Sequence, residues 1–125
     1  MAKDNPPRIT WLKDVEEHDY PAAESYLSLV DGPEQVRGII DRLRKAPVSQ
    51  FKAKDIFRAS GLSLLGVSNS HVTKDQDKIA HGTALSPLLL VRDPANGRVI
   101  IADGYHRLCA VYQADEDALV PAKIV

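Results

Sequence analysis

Two spacings of apolar residues divide this chain. From Pro33, the residues Val36, Ile39, Ile40 and Leu43 fall at i, i+3, i+4 and i+7, a single helical stripe, while Arg37, Asp41, Arg44 and Lys45 face away. This spacing predicts a helix over 33–46, opened by Pro33 and stopped by Pro47. An earlier helix is predicted from Asp19-Tyr20-Pro21, where Ala22, Ala23, Tyr26, Leu27 and Val30 recur at helical spacing until Asp31-Gly32. Residues 1–10, with Asn5-Pro6-Pro7, read as a mobile lead-in.

The pattern weakens between 48 and 65. Residues 48–51 suit a short strand; Ile56, Phe57, Leu62, Leu64 and Leu65 are core candidates; Gly61, Gly66 and residues 68–70 mark turns. A short helix is predicted over 73–81, with Thr73 as its cap, Ile79 and Ala80 turned inward and Gly82 at its stop. Beyond it the alternation becomes clear. Residues 88–91 form a continuous apolar run, 93–97 a turn cluster, and 98–102 a second apolar run, which together predict a buried hairpin. A helix over 104–114 follows, with Tyr105, Leu108, Cys109 and Tyr112 on one face, then a closing strand over 119–125 with Pro121 near its start. The expected class is α+β, a single domain over 1–125 in which 11–47 form a helical extension to a core at 48–125.

Composition narrows the function classes. The 125 residues are 44% hydrophobic and 26% charged, as expected of an ordinary globular chain. The single cysteine, Cys109, excludes an internal disulfide and a cysteine-rich zinc site, which fits a reducing, cytoplasmic location. The N-terminus has no apolar signal-peptide core, and no run is long enough to span a membrane. The net charge is −1, but 37–58 hold seven basic side chains against Asp41 and Asp55. Such a block suits either a solvated face or a phosphate-bearing or acidic partner.

The residues best suited to chemistry lie where the second apolar run meets the helix, at Asp103, Gly104, Tyr105, His106 and Arg107. A helix start leaves backbone N–H groups without partners, and its dipole favours negative charge. Gly104 lets a ligand approach the backbone, Arg107 offers a planar donor fork, and His106 a donor that titrates near neutral pH. Asp103 can cap the helix, hold an arginine, or bind a metal carried by the ligand. Asp-Gly is equally a common turn, and aspartate an ordinary cap. Lys54, Arg58 and Ser60 are competent phosphate partners, or else surface residues. His18-Asp19 has the look of a metal dyad but lacks a spaced second pair.

Residues 87–125 carry a resemblance. Pro87 and the run 88–91, then RVIIADGYHRLCAVYQ at 98–113, then VPAKIV at 120–125, resemble the core of the ParB/sulfiredoxin superfamily. Gly104-Tyr105-His106-Arg107 is closer to the Gly-Cys-His-Arg motif of sulfiredoxins than to the Gly-Glu-Arg-Arg motif of ParB proteins. The resemblance implies a small mixed sheet flanked by helices, and a turn whose Gly104, Tyr105, His106 and Arg107 hold nucleotide phosphates. It implies ATP or CTP with Mg²⁺ as ligand, and Asp103 and His106 as catalytic candidates. A helix ahead of the proline-containing strand would supply further phosphate contacts. Residues 73–81, with Lys74 and Lys78, fit this better than 33–46, because they abut that strand. Tyr105 stands where sulfiredoxins carry their nucleophilic cysteine, so sulfinic-acid reduction is not expected.

Three functions follow as expectations. One is a nucleotide-phosphate-binding domain, with NTP hydrolysis or phosphoryl transfer as its activity. A second is a ParB-like nuclease or DNA-binding module, disfavoured by the near-neutral charge and 6% aromatic content. A third is a regulatory partner without catalysis. The oligomeric state is left open, a homodimer included.

Overall fold

The apolar runs around 93–97 form a hairpin because each strand has two apolar faces and the turn between them suits reversal. A computed structural model describes residues 8–64 and 69–125. In it β2 (Leu88–Asp93) pairs antiparallel with β3 (Arg98–Asp103) across a single 3₁₀ turn at Pro94–Asn96. Gly97 closes that turn at φ 62°, a left-handed conformation costly for other residues. The sheet is completed by β1 (Ser49–Lys52) and β4 (Leu119–Ile124) in the order β1-β4-β2-β3. β4 runs antiparallel to β1 and parallel to β2, so the sheet is mixed and open. Pro121 has no N–H to give, and it lies just ahead of residues 122–124, which pair with β2.

Helices cover both faces. On one lie α1 (Asp19–Leu27) and α2 (Pro33–Lys45), whose Tyr20, Ala23, Leu27, Val36, Ile40 and Leu43 pack on Leu89, Val91 and Ala102. On the other lie α3 (Ala53–Ser60), α4 (Ser70–Ala80) and α5 (Tyr105–Ala114), which bury Leu88, Leu90, Ile101 and Val120. The alternation along β2 explains the continuous apolar run: Leu88 and Leu90 serve one core, Leu89 and Val91 the other. The architecture is α+β. The segment expected as a helical extension supplies one of the two layers on the sheet.

Several expectations need correction. The strand expected at 48–51 spans Ser49–Lys52 and runs straight into α3, a helix the apolar pattern does not announce. Helix α4 begins three residues before Thr73, because the Asn69 side chain accepts the N–H groups of His71 and Val72 at 3.0 and 3.2 Å and is the true cap. Ala80, expected inward, is exposed, and in α1 only Ala23 and Leu27 of the expected stripe are buried. The core candidate Leu65 and the turn residues Gly66 and Ser68 lie outside the described residues, as does Asn5-Pro6-Pro7.

The α1–α2 layer is fastened to the sheet by a buried ammonium. Lys123, 4% exposed, points from β4 toward the face that carries Leu89 and donates to Tyr20 Oη and the Arg44 carbonyl, both at 3.0 Å, with Asp14 at 3.2 Å. Arg44 lies over the Tyr20 ring, 4.3 Å from its centroid, and pairs with Glu17.

Candidate functional site

β3 ends at Asp103, and the chain turns at Gly104 with φ 108° before α5 begins at Tyr105. The first backbone bond of α5 runs from the Leu108 N–H to the Gly104 carbonyl at 2.9 Å. The amides of Tyr105, His106 and Arg107 precede it, and Gly104 has no side chain to cap them. A Cβ built on Gly104 would stand 2.7 Å from Leu88 Cγ and 3.0 Å from Arg107 Nη2. The space kept open by this glycine is therefore filled by the protein itself, a packing role beside the ligand approach expected from sequence.

The two side chains expected to hold the ligand together, His106 and Arg107, turn different ways. Arg107 folds beneath the turn, its side chain only 16% exposed. Its Nη2 lies 3.0 Å from Asp103 Oδ2, 3.4 Å from Asp19 Oδ2 and 3.4 Å from the Pro87 carbonyl. Its Nε is buried with no hydrogen-bond partner among the described residues. Of the roles left open for Asp103, the structure shows the holding of an arginine. His106 turns toward α4, its ring centroid 4.9 Å from that of His71 and 5.7 Å from that of Tyr105. The Tyr105 hydroxyl donates to the Ser63 carbonyl.

Asp19 is the member that sequence reasoning missed. It is 3% exposed, accepts the Ser86 hydroxyl at 2.6 Å, and has His18 Nε2 3.3 Å from its other oxygen. Ser86 Oγ in turn accepts the Glu16 N–H at 3.0 Å. The sequence places Asp19 at a helix start and in a metal-like His18-Asp19 pair, not beside Arg107; that partner is 88 residues away, and no local pattern encodes the contact.

Burial sets the electrostatics of this corner. It raises the Asp103 carboxyl above its ordinary pKa; Arg107 opposes the shift, and the Asp19 charge and hydrogen bonding add to it. Burial likewise raises Asp75 of α4, against Lys78, Arg107, His106 and Lys74. His106 is lowered, first by burial, then by His71, with Arg107 adding to the shift and Asp75 opposing. An uncharged imidazole is therefore the favoured form at neutral pH.

The remaining predicted residues divide by position. Helices α4 and α5 lie side by side, joined by Gln76 and Gln113 at 2.8 Å, so Lys74 and Lys78 belong to the helix that flanks the motif. Lys78 stands 4.0 Å from Asp75. The competing helix over 33–46 lies on the opposite face of the sheet. Lys54 pairs at 2.6 Å with Asp117, beyond the far end of α5 and so roughly 15 Å from Tyr105 by the rise of a ten-residue helix. Arg58 is 87% exposed with Asp55 at 3.8 Å. Ser60 spends its hydroxyl locally, donating to the Phe57 carbonyl and accepting the Leu62 N–H.

An open cleft of about 400 Å³ adjoins the turn, with 103–106 along one side and Tyr26 and Leu62 among its walls. A larger cavity, about 520 Å³, lies around the other end of the hairpin; there Asp31 and Asp93 offset Arg42, Arg92 and Arg98, and Arg98 is tied to Asp93 at 2.9 Å. Among the described residues no three His, Cys, Asp or Glu side chains gather as a metal site, and no helix is long and apolar enough to cross a membrane. Comparison with protein-family models, curated proteins and solved structures returns no match for this chain.

Proposed function

We propose that the chain is a nucleotide-phosphate-binding domain of ParB/sulfiredoxin type, whose site is the first turn of α5 and the cleft beside it. The observation that carries this reading is the uncapped start of α5, where the amides of 105–107 precede the first helical bond and adjoin His106. The packing of α4 against α5 supports it further, since Lys74 and Lys78 lie on a helix that flanks the same turn. A small mixed sheet flanked by helices, the arrangement expected from the resemblance, adds support to the reading. ATP or CTP with Mg²⁺ is the proposed ligand, and the metal would offset phosphate charge. Catalysis, as hydrolysis or phosphoryl transfer, would then rest on positioning and electrostatics rather than on a protein nucleophile. Reduction of a sulfinic acid is not proposed, because Tyr105 replaces the thiol and Cys109 is buried.

A nucleic-acid module fits less well. The basic block of 37–58 is divided between α2 on one face of the sheet and α3 on the other, so its charges do not form one surface.

Thermal shift with ATP, CTP and GTP, each with and without Mg²⁺, tests the reading. One nucleotide should raise the melting temperature, because a ligand that binds only the native state stabilises it. His106→Ala should remove most of the shift. No shift with any nucleotide at millimolar concentration would reject the proposal.

A further inference from the structure

The guanidinium of Arg107 is already engaged by protein acceptors. Its Nη2 faces Asp103, Asp19 and the Pro87 carbonyl, so two carboxylates share one cation. With both ionised the cluster carries an excess negative charge, which repels an incoming phosphate. The fork is only half used. Nε–H and one Nη2–H lie on the same edge of the guanidinium and suit two oxygens of one anion. In the structure Nη2 is occupied while Nε is buried and unpartnered among the described residues. A buried donor without an acceptor calls for an explanation.

We propose that Asp19 is a built-in competitor for Arg107: its carboxylate, delivered by the start of α1, holds the guanidinium away from phosphate until it is displaced. The proposal rests on the nucleotide-phosphate reading and assigns a regulation to that site. Asp103 adjoins Arg107 in sequence and belongs to the motif, whereas Asp19 comes from a helix on the other face of the sheet. Its grip is built from several contacts: Ser86 Oγ donates to Asp19 at 2.6 Å and accepts the Glu16 N–H at 3.0 Å. The segment leading into α1 is thereby latched to Ser86, just ahead of β2, with Arg107 of α5 lying 3.4 Å from the Asp19 carboxylate. Whatever draws the start of α1 away from Ser86 would leave one carboxylate fewer competing for Arg107, whose Nη2 then answers to Asp103 and the Pro87 carbonyl alone.

Asp19→Asn tests this with little change of shape, since the amide keeps an oxygen for Ser86 and Asp103 still pairs with Arg107. Calorimetric titration with inorganic pyrophosphate and with ATP, at low ionic strength, supplies the readout. Asp19→Asn should bind on the order of tenfold more tightly than the wild type, the scale expected when a like charge is removed a few ångströms from a partly buried site. Ser86→Ala, which loosens the same grip, should give a smaller gain in the same direction. Adding Arg107→Ala to Asp19→Asn should abolish the gain. If the wild type binds and Asp19→Asn binds no better, the competitor role is overturned and the nucleotide reading survives. If neither protein binds either probe while circular dichroism shows both folded, both proposals fall. A gain that persists without Arg107 also overturns the competitor role.

Discussion

Replacing Gly104 with alanine separates two demands that the turn makes on one residue. The first is conformational: φ is 108°, and holding a side-chain-bearing residue in such a region costs about 1–3 kcal/mol. The second is steric: the new methyl would lie 2.7 Å from Leu88 Cγ, 3.1 Å from Leu88 Cδ1 and 3.0 Å from Arg107 Nη2. Leu88 is fully buried in the first strand of the hairpin and has little room to yield, so overpacking adds about 1–3 kcal/mol. Loss of backbone freedom in the unfolded chain returns about 0.4–1 kcal/mol. The net loss should therefore be about 1–5.5 kcal/mol. Gly97→Ala is the matched control: its φ is also positive, at 62°, but nothing lies within 4 Å of the added methyl. It should cost no more than about 2 kcal/mol, from conformation alone. Urea unfolding followed by tryptophan fluorescence and circular dichroism measures both. The difference between the variants should exceed about 1 kcal/mol, equivalent to roughly 3–5 °C in melting temperature for a chain of this size. If the two variants lose the same stability within about 0.5 kcal/mol, the steric argument is wrong and Leu88 does not constrain the turn.

Two further outcomes follow from buried groups. Burial opposes the charge of Lys123, but hydrogen bonds to Tyr20 and Asp14 outweigh it and raise the pKa above the ordinary 10.5. The unfolded chain releases this proton first, so the stabilisation is complete below pH 10.5 and is lost as pH climbs through the folded value. Lys123→Met should lower stability by about 1–3 kcal/mol at pH 7 by stranding the Arg44 carbonyl and Tyr20 hydroxyl, and should flatten the alkaline loss seen in urea melts. For His106 the sign reverses: its pKa is lowered from 6.5, mainly by burial and then by His71, so the unfolded chain takes up the proton first and stability declines as pH falls below 6.5. A proton NMR titration should place this ring below the ordinary histidine value and move it upward in His71→Ala; a ring titrating above 6.5 would contradict the geometry.

What was legible in the sequence was what local periodicity encodes. The stripe Val36, Ile39, Ile40 and Leu43 of α2 and the two apolar runs of the hairpin name their elements because each buries a face at the spacing of its own backbone. Helix α3 was not legible: it starts directly from β1 at Lys52, which gives no side-chain cap, and only eight residues follow. The start of α4 was misplaced because two polar residues four positions apart, Asn69 and Thr73, each suit a cap, and the choice depends on which oxygen reaches the first amides of the helix. At the candidate site, the turn and its named residues could be read from sequence, but their orientation could not. Arg107 is turned inward by Asp103, four residues before it, together with Asp19 and the Pro87 carbonyl, which local spacing does not connect to it.

The position of β4 between β1 and β2 has a consequence for how the molecule is made. β1 has no strand to pair with, and β2 lacks its second one, until residues 119–124 have been made, although β1 is synthesised nearly seventy residues earlier. Of the described sheet only the β2–β3 hairpin can form beforehand, so the sheet stays incomplete until β4 has been made. Assembly of the sheet should begin from that hairpin and be completed by β4, with β1 waiting unpaired until that strand arrives.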